Sequence, residues 1–246
     1  MIIGGNLPVY SQQLSGDVYS KDLLPQINQQ GYIDIAKSNV TDGVLFRAAS
    51  ISTLKVRNYH LQAGFLFSYS DQKSIRLKGS FVNLSKIFRI KKVTFEATLL
   101  YRNNPFSAMI HETNWGFTLR CNSRHFSITL GDNYRIFKLT INPTPENNLK
   151  SVNSIRIVEP RNIMYSFTYF VMPVDHKWNA SLTVTNFDYF LIQQETNPMG
   201  ACKLSYQLTS RLLLYSELWY QSAGLTNLQV NYFGVNIRTG LVWKIN

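Results

Sequence analysis

The feature that most limits what this chain can fold into is alternation with a period of two, repeated in long segments over most of its 246 residues. From Phe233 to Ile245 the odd positions are Phe233, Val235, Ile237, Thr239, Leu241, Trp243 and Ile245, and the even ones include Gly234, Asn236, Arg238, Gly240 and Lys244. Successive side chains of a strand point to opposite faces, so this pattern makes one face apolar and the other polar. Tyr59 to Tyr69 repeats it, setting Leu61, Phe65 and Phe67 against His60, Gln62 and Ser68. Lys92 to Arg102, Trp115 to Cys121, Trp178 to Val184 and Cys202 to Leu208 follow the same rule.

A soluble β-sandwich also alternates and is the competing fold. Segment length separates the two, because soluble strands run ~5–6 residues whereas strands that cross a membrane in a barrel need ~9–11. Charged residues make up only 16% of the chain, against roughly 25% in soluble domains. Aromatic residues reach 13%, a composition that suits strands and membrane-interface girdles. No stretch approaches the ~20 consecutive apolar residues of a spanning helix. The predicted fold is all-β: a transmembrane antiparallel up-and-down β-barrel of about twelve strands, with ten or fourteen also open.

Connections alternate between short ones, near Lys55 to Asn58, Asn122 to Arg124, Pro173 to His176 and Thr209 to Ser210, and longer ones, near Asn142 to Arg161, Gln193 to Pro198 and Gln221 to Asn227. Periplasmic turns and extracellular loops alternate in this way, which places both chain ends in the periplasm. Phe126 to Ile141 reads either as one long strand or as a hairpin at Gly131, Asp132 and Asn133. At the N-terminus, MIIGGNLPVYS with Val9 and Ser11 near its end reads as the tail of a secretory signal. The expected division is a residual signal peptide over 1–11, a periplasmic segment over 12–30 and the barrel over 31–246.

The net charge of +11 raises the question of a nucleic-acid partner. Lys and Arg occur singly along strands, apart from Arg89, Lys91 and Lys92, and no nucleic-acid-binding motif is present, so none is expected. The polar faces instead supply candidate pore-lining residues: Arg76, Lys78, Glu96, Arg102, Arg120, Arg135, Arg211, Glu217, Arg238 and Lys244. Basic groups outnumber acidic ones in this set, which predicts a lumen at positive potential. Ion pairing of Glu96 and Glu217 with basic neighbours into a closed polar core is the alternative. Trp115, Trp178, Trp219 and Trp243 are expected in the interface girdle rather than in a sugar-stacking site.

His125 and Ser127 share a face, but a strand spacing of ~6–7 Å exceeds hydrogen-bond reach, so no catalytic site is expected. No cofactor or metal is expected, and Cys121 and Cys202 read as free thiols facing lipid.

The closing segment Tyr232 to Ile245, with its Arg238-x-Gly240-x-x-Trp243-Lys244 ending, resembles the last strand of bacterial outer-membrane barrels, in particular many from Bacteroidota. That resemblance implies the outer membrane as location, its lipid as surround, and the barrel-assembly machinery as a partner that reads the last strand. Two functions follow as expectations: a narrow, anion-preferring pore or uptake channel for a polar solute, or a non-conducting accessory subunit that binds other outer-membrane proteins. A lipid-acting enzyme is the least favoured.

Overall fold

The computed structural model describes residues 25–38, 44–70, 74–90, 93–105, 110–140, 154–172, 177–223 and 232–245. They form twelve strands: β1 (Gln26–Ser38), β2 (Leu45–Val56), β3 (Tyr59–Ser70), β4 (Ser74–Ile90), β5 (Val93–Pro105), β6 (Ile110–Asn122), β7 (Phe126–Thr140), β8 (Ser154–Phe170), β9 (Trp178–Thr185), β10 (Met199–Gln207), β11 (Leu212–Ala223) and β12 (Tyr232–Lys244). Each pairs antiparallel with its sequence neighbours, and β1 pairs with β12 to close the barrel. Closure removes the free edges of the first and last strands, so over most of the wall the ladder satisfies the strand backbone without help from solvent.

The alternation read from the sequence maps onto inside and outside. In β1, Asn28, Gln30, Tyr32 and Asp34 are buried in the lumen, while Ile27, Ile33 and Ile35 are exposed outward. Every strand carries at least one large exposed apolar side chain, as with Phe65 on β3, Leu99 on β5, Leu182 on β9 and Ile237 on β12. Soluble monomers rarely expose apolar patches beyond a few hundred Å². A belt running around the whole circumference therefore calls for an apolar surround.

Gln26 and Lys244 lie on one rim, here the proximal rim, together with the tight β2–β3 turn at Arg57 and Asn58. Arg57 adopts φ 53° there. The opposite, distal rim carries the connections that the sequence predicts to be longer. Of the predicted boundaries, 1–11 and most of 12–30 lie outside the described residues, as does Pro173 to His176. The barrel begins at Gln26 rather than residue 31, because Asn28 and Gln30 already pair with both β12 and β2.

One further expectation is revised, and of the two readings of Phe126 to Ile141 the single long strand is the one found. The long connection predicted to reach Arg161 ends by Ser154, and Pro160 is accommodated within β8 at a bulge, where the register steps from Asn133 to Arg135. A bulge removes the ladder bond that proline cannot donate. Gly131 is not a hairpin tip, since β7 runs unbroken through it. A Cβ at Gly131 would lie 2.2 Å from the Phe117 carbonyl oxygen and 2.9 Å from Thr118 Cα. Glycine is there because β6 passes too close for any side chain.

Gly131→Ala should therefore destabilise the barrel by ~1–3 kcal/mol. A lower urea midpoint of the protein refolded in lipid vesicles checks this; an unchanged midpoint would mean that β6 and β7 separate at no cost.

Candidate functional site: a lumen closed by an inward-folded segment

Strands β9 and β10 contain only 8 and 9 residues, while β7 and β8 contain 15 and 17. β9 pairs with β8 only as far as Ser166 opposite Thr185, so the distal half of β8 loses its neighbour. Segment 186–198 fills the gap and then turns into the lumen. Asn186, fully buried, acts as the junction: its Oδ1 accepts from the Tyr165 N–H at 2.8 Å and its Nδ2 donates to the Ile163 carbonyl at 2.7 Å. One side-chain amide thus supplies β8 with the donor and acceptor that a strand would have supplied.

The segment forms a tight turn in which Phe187 bridges to Ile192 and the Asp188 N–H donates to the Leu191 carbonyl at 2.8 Å. Asp188 Oδ1 accepts from the N–H groups of Phe190 and Leu191, both at 2.8 Å. Backbone inside a barrel must find partners for its polar groups, and here the wall provides them. Four successive carbonyls each accept from a wall side chain: Phe190 from Asn104 at 2.9 Å, Leu191 from Arg102 at 3.1 Å, Ile192 from Arg135, and Gln193 from Asn162 at 3.1 Å.

The apolar side chains of the segment span the lumen. Tyr189 and Phe190 pack with Tyr32, Ile51, Leu66, Phe81 and Val242 on one side, and Phe187 and Ile192 with Leu100 and Met164 on the other. Phe81 stacks on Tyr189 at 5.5 Å between ring centroids and meets Phe190 edge-on at 5.1 Å.

A row of charges of alternating sign crosses the closure seam at the level of this segment. Arg47, Asp34, Arg238, Glu217 and Lys203 stand directly opposite one another on β2, β1, β12, β11 and β10. Their contacts are 2.7 Å from Arg47 to Asp34, 3.5 Å from Arg238 to both Asp34 and Glu217, and 2.6 Å from Lys203 to Glu217. Asp188 joins the row through Arg238 at 3.1 Å. Burial opposes the charged form of Asp188, but Arg238 and the N–H groups of Leu191 and Phe190 outweigh it and hold the carboxyl below its ordinary range. A second cluster joins Arg135 to Glu112 at 2.9 Å and to Glu159 at 3.2 Å, and Arg120 meets Glu96 at 3.2 Å.

The residues predicted to line a pore therefore fall into groups. Glu96, Arg102, Arg135, Glu217 and Arg238 are buried in the lumen, and Arg120 is partly so. Arg76 and Lys78 sit toward the distal end of β4, where a bulge shifts the register, and Lys244 is half-buried at the proximal rim. Arg211 is in the exposed β10–β11 turn rather than on a strand, so it does not face the lumen. Trp115, Trp178 and Trp243 are exposed on the outer face. Trp219 is instead buried inside, its indole N–H donating to Glu217 at 2.9 Å, because β11 turns its odd positions inward.

His125 is exposed in the β6–β7 turn, and Ser127 donates to Asn122 at 2.7 Å. The two do not form an acid–base pair. Cys121 and Cys202 are free thiols, Cys202 exposed and Cys121 partly so. Asp34, Lys203, Asp188 and Asn186 complete the site and are absent from the sequence-derived set. For Asn186 and Asp188 the signal was the apolar run from Phe187 to Ile192, broken only by Asp188, and for Asp34 and Lys203 it was their place on the polar face of alternating strands.

No protein-family model matches the chain, and no curated protein matches it in sequence. Among solved structures the fold is similar to an outer-membrane channel from Pseudomonas putida F1, with a TM-score of 0.53, 10% identity, and coverage of 95% of this chain and 100% of that one. The translocator domain of the autotransporter NalP from Neisseria meningitidis gives a TM-score of 0.51 at 11% identity, over 89% of this chain and 88% of that one. The KdgM porin gives 0.50 at 11%, over 88% and 99%. The fold is that of bacterial outer-membrane barrels.

The charge row should matter far more than exposed pairs. Arg238→Met leaves Asp188 without its ion pair and removes one partner from both Asp34 and Glu217, for a loss of ~3–5 kcal/mol. Arg161→Ala breaks a pair with Asp132 whose side chains are 76% and 50% exposed, and should cost less than ~1 kcal/mol. Urea unfolding of both variants measures the difference; equal losses would contradict the assignment of Arg238 as the centre of the row.

Proposed function

We propose that the protein is an outer-membrane channel held shut at rest by segment 186–198. The observation that carries this reading is the seating of Phe187, Tyr189, Phe190 and Ile192 in apolar clusters on both sides of the lumen. Magnitudes favour a gate over a permanent seal. Burying each large apolar side chain contributes ~1.5–3 kcal/mol, and ordering each residue of a loop costs ~1–2 kcal/mol. The four buried side chains of 187–192 contribute ~6–12 kcal/mol, and ordering those six residues costs about as much, so the hydrogen bonds to the wall and the Asp188–Arg238 pair decide the balance.

The solute is a small polar one, and the open lumen prefers anions. Lys55, Arg102 and Arg120 against Glu96 and Asp188 leave one positive charge in excess around the proximal lumen. Outer-membrane lipid surrounds the apolar belt, and β12, with its Bacteroidota-like ending, is the strand that the assembly machinery reads. A second reading is a non-conducting accessory barrel that binds other outer-membrane proteins, favoured by the continuity of the apolar packing across the lumen.

Planar-bilayer recording under a salt gradient separates the two. The natural protein should be silent or open rarely, and a variant with residues 187–192 replaced by Gly and Ser should conduct steadily with a reversal potential on the anion side. A replaced variant that folds and stays silent would support the accessory role, and cation preference would remove the charge argument.

A further inference from the structure

On the proximal side of segment 186–198 the lumen encloses a cavity of about 100 Å³, which is room for a few waters or a small ion. Its wall is largely hydrogen-bonding: Gln30, Gln62, Asn83, Ser85, Thr98 and Thr118 all contribute. Two carboxylates line it, and both are engaged, Glu96 by Arg120 at 3.2 Å and Asp188 by Arg238 at 3.1 Å. Two cations that line it are not so engaged. Among the described residues neither Arg102 nor Lys55 forms an ion pair.

Arg102 is the sharper case, being only 3% exposed. Its guanidinium donates once, from Nη1 to the Leu191 carbonyl at 3.1 Å, lies 5.8 Å from the Phe187 ring centroid, and leaves Nε without a hydrogen-bond partner. Glu112, a nearby carboxylate, is held by Arg135 at 2.9 Å and Asn104 at 3.1 Å. A buried guanidinium with an unused donor and no counter-charge in contact is costly unless something anionic completes it. Asn83 Oδ1, a buried acceptor on the same cavity, also has no partner.

We propose that this cavity is a binding site for a small oxyanion, a carboxylate or a phosphate, held by Arg102 with Lys55 as the second positive group. The planar fork of arginine matches two oxygens of such an anion. Asn83 Oδ1 accepts from a hydroxyl of the ligand or its water. The site deepens the channel reading above by naming what enters the lumen. It also couples to closure, because the guanidinium that holds the anion is the one that donates to the Leu191 carbonyl of the closing segment.

The test is binding, which does not require conduction, so the two readings fail separately. Protein with ¹⁵N-labelled arginine, refolded in detergent and shown to be folded by its heat-modifiable mobility, is titrated with succinate, with inorganic phosphate, and with chloride at equal ionic strength. One buried Nε–H resonance should shift saturably with succinate or phosphate and not with chloride, and which of the two is effective tells carboxylate from phosphate. That resonance should be missing in Arg102→Gln. Affinity, measured for the natural protein and all variants by isothermal titration calorimetry, should fall at least tenfold in Arg102→Gln and in Lys55→Gln, and Arg102→Lys should keep part of it. If Arg102→Gln does not fold, the natural protein's titration and Lys55→Gln still decide. No saturable shift with either anion, or affinity unchanged in both variants, overturns the proposal.

Discussion

The rest of this structure depends on the requirement that backbone N–H and C=O groups out of reach of water be paired. Around the wall the closed ladder meets it, down to the pairing of β1 with β12 from Asn28 opposite Lys244 to Ser38 opposite Gly234. The difficulty arises where β9 stops at Thr185 and β8 continues. A strand left without a neighbour there would expose its polar backbone next to the apolar belt. Asn186 solves this locally with one amide, and the chain beyond it then needs partners of its own. It finds them only by lying against Asn104, Arg102, Arg135 and Asn162. The closed lumen is thus a consequence of two short strands and of how their missing length is compensated.

Charge inside the barrel obeys a similar constraint. A guanidinium or carboxylate removed from bulk water is tolerated when an opposite charge and hydrogen bonds replace its hydration. The row from Arg47 to Lys203 meets this by placing alternating signs on adjacent strands, where directly opposed side chains come close. Aromatic rings complete the solvation: Lys203 Nζ lies 4.0 Å from the Tyr215 ring centroid, and Arg238 Cζ 4.3 Å from that of Tyr32. Arg238 is surrounded by Asp34, Glu217 and Asp188, so the segment that closes the lumen is anchored to the same charge that ties β12 to β1 and β11. Within this row the three basic and three acidic groups cancel, and the excess of basic residues in the sequence does not translate into a strongly positive lumen.

What the sequence made legible follows from which interactions are periodic. Alternation is imposed by the pleat and by one apolar surround, so strand identity, the closed all-β class and the inward placement of Glu96, Arg135, Glu217 and Arg238 could be read directly. Around Gly131 a single strand and a hairpin both stayed open, and the loop placed as far as Arg161 was too long, because glycine and proline, which punctuate chains elsewhere, serve here as a close approach and a bulge that depend on a neighbouring strand the local sequence does not display. Trp219 misled for a different reason, since it shares the parity of the inward Glu217 two residues away on its own strand. Tryptophan in a membrane barrel suits the interface, but the parity of β11 puts this one inside, where Glu217 accepts its N–H. The seating of segment 186–198 was out of reach, since the wall side chains that hold its carbonyls lie up to 89 residues away and its ring partner Phe81 lies further still.

Closure by this segment differs from closure by a filled barrel. In a barrel of about eight strands the wall side chains alone fill the interior, and opening it would mean unfolding the wall. With twelve strands the wall leaves space, and part of that space is taken by a short connection anchored at both ends to β9 and β10. Displacement of residues 187–192 alone breaks side-chain contacts to the wall and the segment's own Phe187–Ile192 bridge, while Asn186 can keep its bonds to Tyr165 and Ile163 of β8. The barrel can therefore keep its stability while the lumen changes state. The groups that bias that change are those holding the four carbonyls and Asp188. Arg102 belongs to both the wall of the cavity and the grip on Leu191, so the cavity and the closure share one side chain.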